Sequence, residues 1–201
     1  MAKKYPFQEI GENVTIYSPV TLIQPEKMVL KNHILISEYA YLAAGLGLYI
    51  GNFIHISAQS IISGGGSCFL DDFVGLSAGV RIITGSDDLT GRGLTNPTIP
   101  AEFRSVYRSF VHCQKHSVLA TSVIVYPGVT IGEGSVVGSG SVVSKDLEPW
   151  GFYMGYPARR IKDRPKEKIL ELEERLLSSV KLNRSDFSDE IHKATTAAKV
   201  I

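Results

Sequence analysis

The sequence predicts an all-β solenoid of short strands turned at sharp corners and followed by a short C-terminal α-helix. Three observations point there. An aliphatic residue recurs every six positions, as in "IGEGSV", "VGSGSV" and "VSKDLE" from Ile131, Val137 and Val143. A small residue usually follows it. The pattern then breaks sharply at "DRPKEKILELEERLLSSV", Asp163 to Val180, where apolar residues take helical spacing. A six-residue period fits neither a 3.6-residue helix nor simple strand alternation, and internal repetition outranks local propensity.

The repeat runs in two blocks. The later one reads backward through Val125, Leu119 and Cys113; the earlier one starts at Ile50, Ile56, Ile62, Cys68, Val74 and Val80, with a further pair at Ile10 and Ile16. With three strands per coil, the expected period is 18 residues, so Ile50 should stack on Cys68, Ile56 on Val74 and Ile62 on Val80, while Cys113 meets Ile131 and Leu119 meets Val137. Each coil would cover the apolar edge of the next. Both cysteines then sit at inward positions and act as small hydrophobes rather than as a disulfide or a nucleophile.

Composition narrows the partners. The 201 residues are 44% hydrophobic with a net charge of +1, which suggests neither nucleic acid nor an anionic membrane surface. The opening "MAKKYPFQEIGENV" turns polar at once, so a cytoplasmic protein is expected. The expected domains are a β-helix over 1–162, with an inserted loop at 84–108, and a helix and tail over 163–201. In the helix Ile169, Leu172, Leu176 and Leu177 share a face, Glu171 and Arg175 form an i,i+4 pair, and Pro165 suits the first turn. The final "IHKATTAAKVI" is weakly patterned and reads as a mobile end.

The loop "ITGSDDLTGRGLTNPTIP" interrupts the repeat. Val80 and Cys113 are 33 residues apart, where an unbroken repeat would place 30 or 36. An excursion of that length without strand pattern is often functional, and a flat solenoid face needs such a wall to make a pocket.

The stretch "VIVYPGVTIGEGSVVGSGSVVSKDLEPWGFYMGYPARRI" resembles the end of a hexapeptide-repeat acyltransferase, a likeness covering roughly residues 10 to 161. The resemblance implies a left-handed parallel β-helix, against the right-handed preference of ordinary crossovers. It further implies a homotrimer with sites between subunits and an acyl-CoA donor. Carried over by position, Ala120 and Gly138 would offer backbone amides to the pantetheine arm or thioester, with Ser139 following. Tyr156 and Pro157 would flank the adenine, and Lys145, Arg159 and Arg160 would meet the phosphates.

Many members carry a histidine in the loop as general base, whereas residues 56–111 here contain none. A hydroxyl acceptor needs such a base; an amine brings its own lone pair. The loop also resembles that of enzymes acylating amino groups on nucleotide-linked dideoxy sugars. That resemblance implies N-acylation of a nucleotide-linked aminodideoxy-hexose, with dTDP as the nucleotide. An O-acetyltransferase and a non-catalytic scaffold are the alternatives.

Asp87 and Asp88 would accept a hydrogen bond or proton from the acceptor ammonium, or simply cap turns; Ser86 would orient the amine, or serve the same turn. His55, read as a corner residue, is the expected titratable partner if the loop folds back on the front coils. His112 is an outside candidate, and His116 reads as structural. The spacing of His112 and His116 does not suit a metal site, and none is expected.

Overall fold

The computed structural model describes residues 5–198. The chain winds as a left-handed parallel solenoid whose strands form three sheets. The first sheet stacks Glu9–Ile10, Met28–Leu30, Gly47–Ile50, Ser67–Leu70, Phe110–Cys113 and Val129–Ile131. The second stacks Val14–Ile16, Ile34–Ile36, Ile54–Ile56, Gly75–Leu76, Val118–Leu119 and Val136–Val137, and ends in Gly151–Gly155 paired antiparallel with Ala158–Asp163. The third stacks Thr21–Ile23, Tyr41–Ala43, Ile61–Ser63, Arg81–Ile83, Ile124–Val125 and Val142–Val143.

Inward ladders hold the coils together. Leu30, Ile50, Leu70, Cys113 and Ile131 lie in register, as do Ile36, Ile56, Leu76, Leu119 and Val137. All are buried. The later block keeps the expected 18-residue period, with Cys113 opposite Ile131 and Leu119 opposite Val137.

The front block does not. Ile50 stacks on Leu70 rather than Cys68, Ile56 on Leu76 rather than Val74, and Ile62 on Ile82 rather than Val80. Each front coil is two residues longer, and the extra length lies at the third corner, between the third sheet and the first. There the chain turns through left-handed residues: Gln24, then Gly45, then Gly64 and Gly65. The misreading has a local cause. Strand side chains alternate, so Cys68 and Leu70 both point inward and either could start a hexad. Cys68 instead faces Leu48 and Val111.

The first corner is stitched by side chains. Asn32 accepts from the Glu12 amide, Asn52 from the Asn32 amide, and Asp72 from the Asn52 amide at 2.6 Å. Beside them His33, Phe53, Phe73 and His116 stack with centroids 4.7–5.1 Å apart, each at positive φ.

Two helices follow, α1 (Glu167–Val180) and α2 (Ser188–Ala197). The expected Glu171–Arg175 pair is present at 3.6 Å. The packed face of α1 differs from expectation: Leu177 is buried, but Leu172 and Leu176 are 48% and 37% exposed. Glu173 sets the face instead. Its side chain is 1% exposed and meets His116 at 2.8 Å, Lys115 at 3.1 Å and Arg184 at 2.9 Å. Pro165 precedes α1 instead of entering its first turn.

The second helix overturns the expectation of a mobile end for most of "IHKATTAAKVI"; residues 199–201 lie outside the described residues. The α2 segment packs, through Phe187, Ile191 and Ala194, on a column of Val29, Tyr49 and Phe69 outside the first sheet. That column exists only once the 20-residue register is set. Among the described residues no helix is long and apolar enough to cross a membrane.

Burial works to raise the Glu173 pKa, but hydrogen bonds from His116, Arg184 and Lys115 outweigh it and hold the carboxyl at about 2. A depressed native pKa stabilises above the ordinary carboxylate range, and that stabilisation is lost as pH falls toward about 2. Glu173→Gln is expected to cost roughly 3 kcal/mol in chemical denaturation at neutral pH. The gap to the native protein should close as pH is lowered through that interval.

Candidate active site

The second corner, between the second and third sheets, carries a column of small residues: Ser37, Ser57, Ser77, Ala120 and Gly138. Their amides donate to Ile56, Leu76, Leu119, Val137 and Tyr153 carbonyls at 2.8–2.9 Å. This corrects the expectation for Ala120 and Gly138. Both amides are consumed by the coil-to-coil ladder, because the position after an inward residue is still in strand register. The exposed amides one residue further, at Thr121 and Ser139, have no acceptor among the described residues. Ser122 and Gly140 then turn the chain at φ 60° and 69°. The corner therefore presents two free N–H donors about one coil, ~4.8 Å, apart.

Ser77 belongs to the same column one coil toward the N-terminus, because Leu76 pairs with Leu119. It is half-buried, and its hydroxyl has no protein partner among the described residues. Sequence reading passed over it, although its place after an inward Leu76 marks it as the counterpart of Ala120.

At the C-terminal end of the solenoid a pocket of about 190 Å³ is lined by Lys145, Asp146, Tyr153, Arg159 and Arg160. Lys145 and Arg159 are exposed and have no carboxylate partner among the described residues. Arg160 is committed elsewhere. It binds Asp163 at 2.9 Å, the Tyr153 hydroxyl at 3.0 Å and the Pro149 carbonyl at 3.2 Å. Tyr156 and Pro157 form the exposed tip joining the last two strands.

The loop is not devoid of strands. Gly85–Asp87 and Val106–Arg108 pair as an antiparallel ribbon, and Leu94 bridges to Arg104. It leaves from the long third corner, where Gly66 is indispensable: a Cβ there would stand 1.9 Å from the Ser109 carbonyl oxygen. Ser86 points to solvent while Asp87 turns to the other side of the ribbon. Asp87 takes Arg104 at 2.5 Å and the Asn96 amide at 2.8 Å, and the Arg104 hydrogen bond, with that of Asn96, holds its carboxyl below the usual range. Asp88 is committed to its own turn, accepting from the Thr90 amide at 2.6 Å and pairing with Arg92.

His55 is not at a corner. It lies mid-strand on the outside of the second sheet, exposed, with Nε2 at 3.3 Å from the Ser37 hydroxyl. The loop base instead meets Gly64 and Gly65, beyond the third sheet, so the structure does not bring His55 and the loop together within one chain. His112 is nearly buried against Asp71 at 2.8 Å, and His116 serves α1. Burial pushes the thiols of Cys68 and Cys113 well up, leaving both inert. Among the described residues no three His, Cys, Asp or Glu side chains converge to hold a metal.

No family model matches the chain. The dTDP-4-amino-4,6-dideoxy-D-glucose acyltransferase of Escherichia coli is 32% identical over 172 residues, covering 85% of this chain and 89% of that one. AntD, an N-acyltransferase from Bacillus cereus solved with dTDP and 3-hydroxybutyryl-CoA, superposes with TM-score 0.82 at 33% identity, over 90% of this chain and 95% of that one. An AntD variant solved with dTDP-4-amino-4,6-dideoxyglucose and coenzyme A gives TM-score 0.81 at 32% identity, over 89% and 94%. With its inward ladders, its free corner amides and a likeness running through nearly the whole of both chains, the chain belongs to the hexapeptide-repeat, left-handed β-helix acyltransferases.

Proposed function

We propose that this protein transfers an acyl group from acyl-CoA to the amino group of a dTDP-linked aminodideoxyhexose. The observation that carries this reading is the loop. It offers Asp87 and no histidine, while the second corner offers two free amides one coil apart. Support comes from relatives matched over nearly the whole of their own chains: the Escherichia coli enzyme named for a dTDP-linked amino sugar, and AntD bound to dTDP and an acyl-CoA.

The pantetheine arm lies along the second corner past Ser139 and Thr121, with Lys145 and Arg159 near the CoA phosphates. The neutral amine adds to the thioester carbonyl, forming the N–C bond. The C–S bond then breaks, its electron pair leaves with sulfur, and the ammonium proton passes to the thiolate. Asp87, whose charge Arg104 stabilises, is too weak a base to keep that proton. Its free acceptor sites orient the ammonium instead. AntD has been solved as variants at a serine and at an aspartate ten positions further on. Here Ser77 and Asp87 have that spacing, and we assign Ser77 as a hydroxyl donor to the thioester or acceptor.

The protein acts as a homotrimer with sites between copies. The α2 segment covers the first sheet, whereas Leu35, Val118, Val136 and Phe152 leave the second sheet's outer face, apart from His55, mainly apolar and half-open to a second copy.

In a thiol-release assay the dTDP-amino sugar should turn over and its hydroxyl counterpart should not; equal turnover, or turnover of the hydroxyl compound alone, would overturn the amine preference. Asp87→Asn is expected to lower kcat about 10²-fold, the lower end for losing one group aimed at charge that develops in the transition state. Because the Asp87 pKa is already depressed, the acid limb of the rate profile should follow the acceptor amine, not this carboxyl. Lys145→Ala and Arg159→Ala should each raise the KM for acyl-CoA about tenfold, whereas Arg160→Ala should chiefly lower Tm.

A further inference from the structure

The outer face of the third sheet holds a feature that the donor groove and the loop leave unexplained. Its outward positions are Thr21, Ile23, Tyr41, Ala43, Ile61, Ser63, Arg81, Ile83, Ile124 and Val142, so Arg81 is the one charged group on an otherwise uncharged face. Arg81 is exposed and has no carboxylate partner among the described residues. Its guanidinium touches only the Gly79 carbonyl, at 3.1 Å. That contact tethers it to the same corner that carries Ser77, two residues before Gly79.

The column below Arg81 is equally specific. Arg81 pairs with Ile61, and Ile61 with Tyr41. Tyr41, 39% exposed, therefore lies two strands from Arg81, about 10 Å away at ordinary strand spacing. Tyr39, 66% exposed, stands on the adjoining corner. A fixed cation, an apolar floor and an exposed aromatic ring follow one another in a line that starts beside Ser77. The order suits a ligand with an anionic group next to its reacting end and a planar base further out.

We propose that Arg81 and Tyr41 form the nucleoside-diphosphate subsite of the acceptor, with Arg81 on the diphosphate, Ile61 beneath the sugar between, and Tyr41 stacked on the base. This rests on the acyl-acceptor reading above and adds the residues that read the nucleotide. The hexose amine then reaches the Ser77 corner, because one sugar ring separates it from the diphosphate. A guanidinium fork suits paired phosphate oxygens, and tyrosine stacking suits a base without demanding a hydrogen-bond pattern.

The test is calorimetric titration of dTDP into the full-length protein, alongside acceptor and donor kinetics. Arg81→Ala should weaken dTDP binding and raise the acceptor KM by about tenfold or more, and Tyr41→Ala by about fivefold. Arg81→Lys should recover part of the loss. Coenzyme A affinity, the KM for acyl-CoA and the mass in solution should stay as in the native protein. If the native protein binds dTDP and acylates the amino sugar while both variants match it, the subsite lies elsewhere and the proposal fails alone. A change of oligomeric state in Arg81→Ala would overturn it by making the face an interface. A native protein with no affinity for dTDP would overturn this assignment and the acceptor reading together.

Discussion

Stacking of inward side chains from coil to coil is the constraint on which the remainder of this protein depends. Each fully buried Ile, Leu or Val contributes roughly 1.5–3 kcal/mol relative to exposure. More important is that a slip of one residue would turn a whole strand's apolar set outward. The register is thereby locked, and outward residues are locked with it into columns. Ser77, Ala120 and Gly138 share a corner because Leu76, Leu119 and Val137 share a ladder.

Corner length is the variable that the ladder leaves free. Two corners of each complete coil stay short, while the third is two residues longer in the front coils and opens into the ribbon-bearing loop at Thr84–Ser109. Glycine makes this possible, since Gly66 passes too near the Ser109 carbonyl for any side chain. The loop is ordered by its own ions. Arg104 and Arg92 each hold one of the adjacent aspartates, so the pair does not act as two equivalent acids. Only Asp87 keeps a partly exposed carboxylate able to meet a ligand.

The electrostatics of the two ends differ in kind. At α1, Glu173 is buried among three donors and joins the helix to the solenoid. At the C-terminal end of the solenoid Lys145 and Arg159 are cations without a carboxylate partner among the described residues, and the second corner adds the free amide N–H donors of Thr121 and Ser139. Such a surface favours phosphate groups and a developing oxyanion without a buried charge of its own.

The sequence by itself determined the repeat, the inward places of Cys68 and Cys113, the helix after residue 163 and the absence of a loop histidine. Each is written in local spacing or in residue identity. The family resemblance, not the local pattern, singled out Lys145 and Arg159 for the CoA phosphates, and the structure leaves both exposed without a carboxylate partner among the described residues. Only the tertiary structure decided the 20-residue front coil, since Cys68 and Leu70 are both inward and local pattern cannot choose between them. That choice then decided the aromatic column that orders α2, while strand pairing with the adjacent coils decided the mid-strand place of His55 and the engaged amides of Ala120 and Gly138. The physical reason is common to all: each depends on what lies one coil away, and coil spacing is settled by long-range stacking rather than by neighbours in the chain.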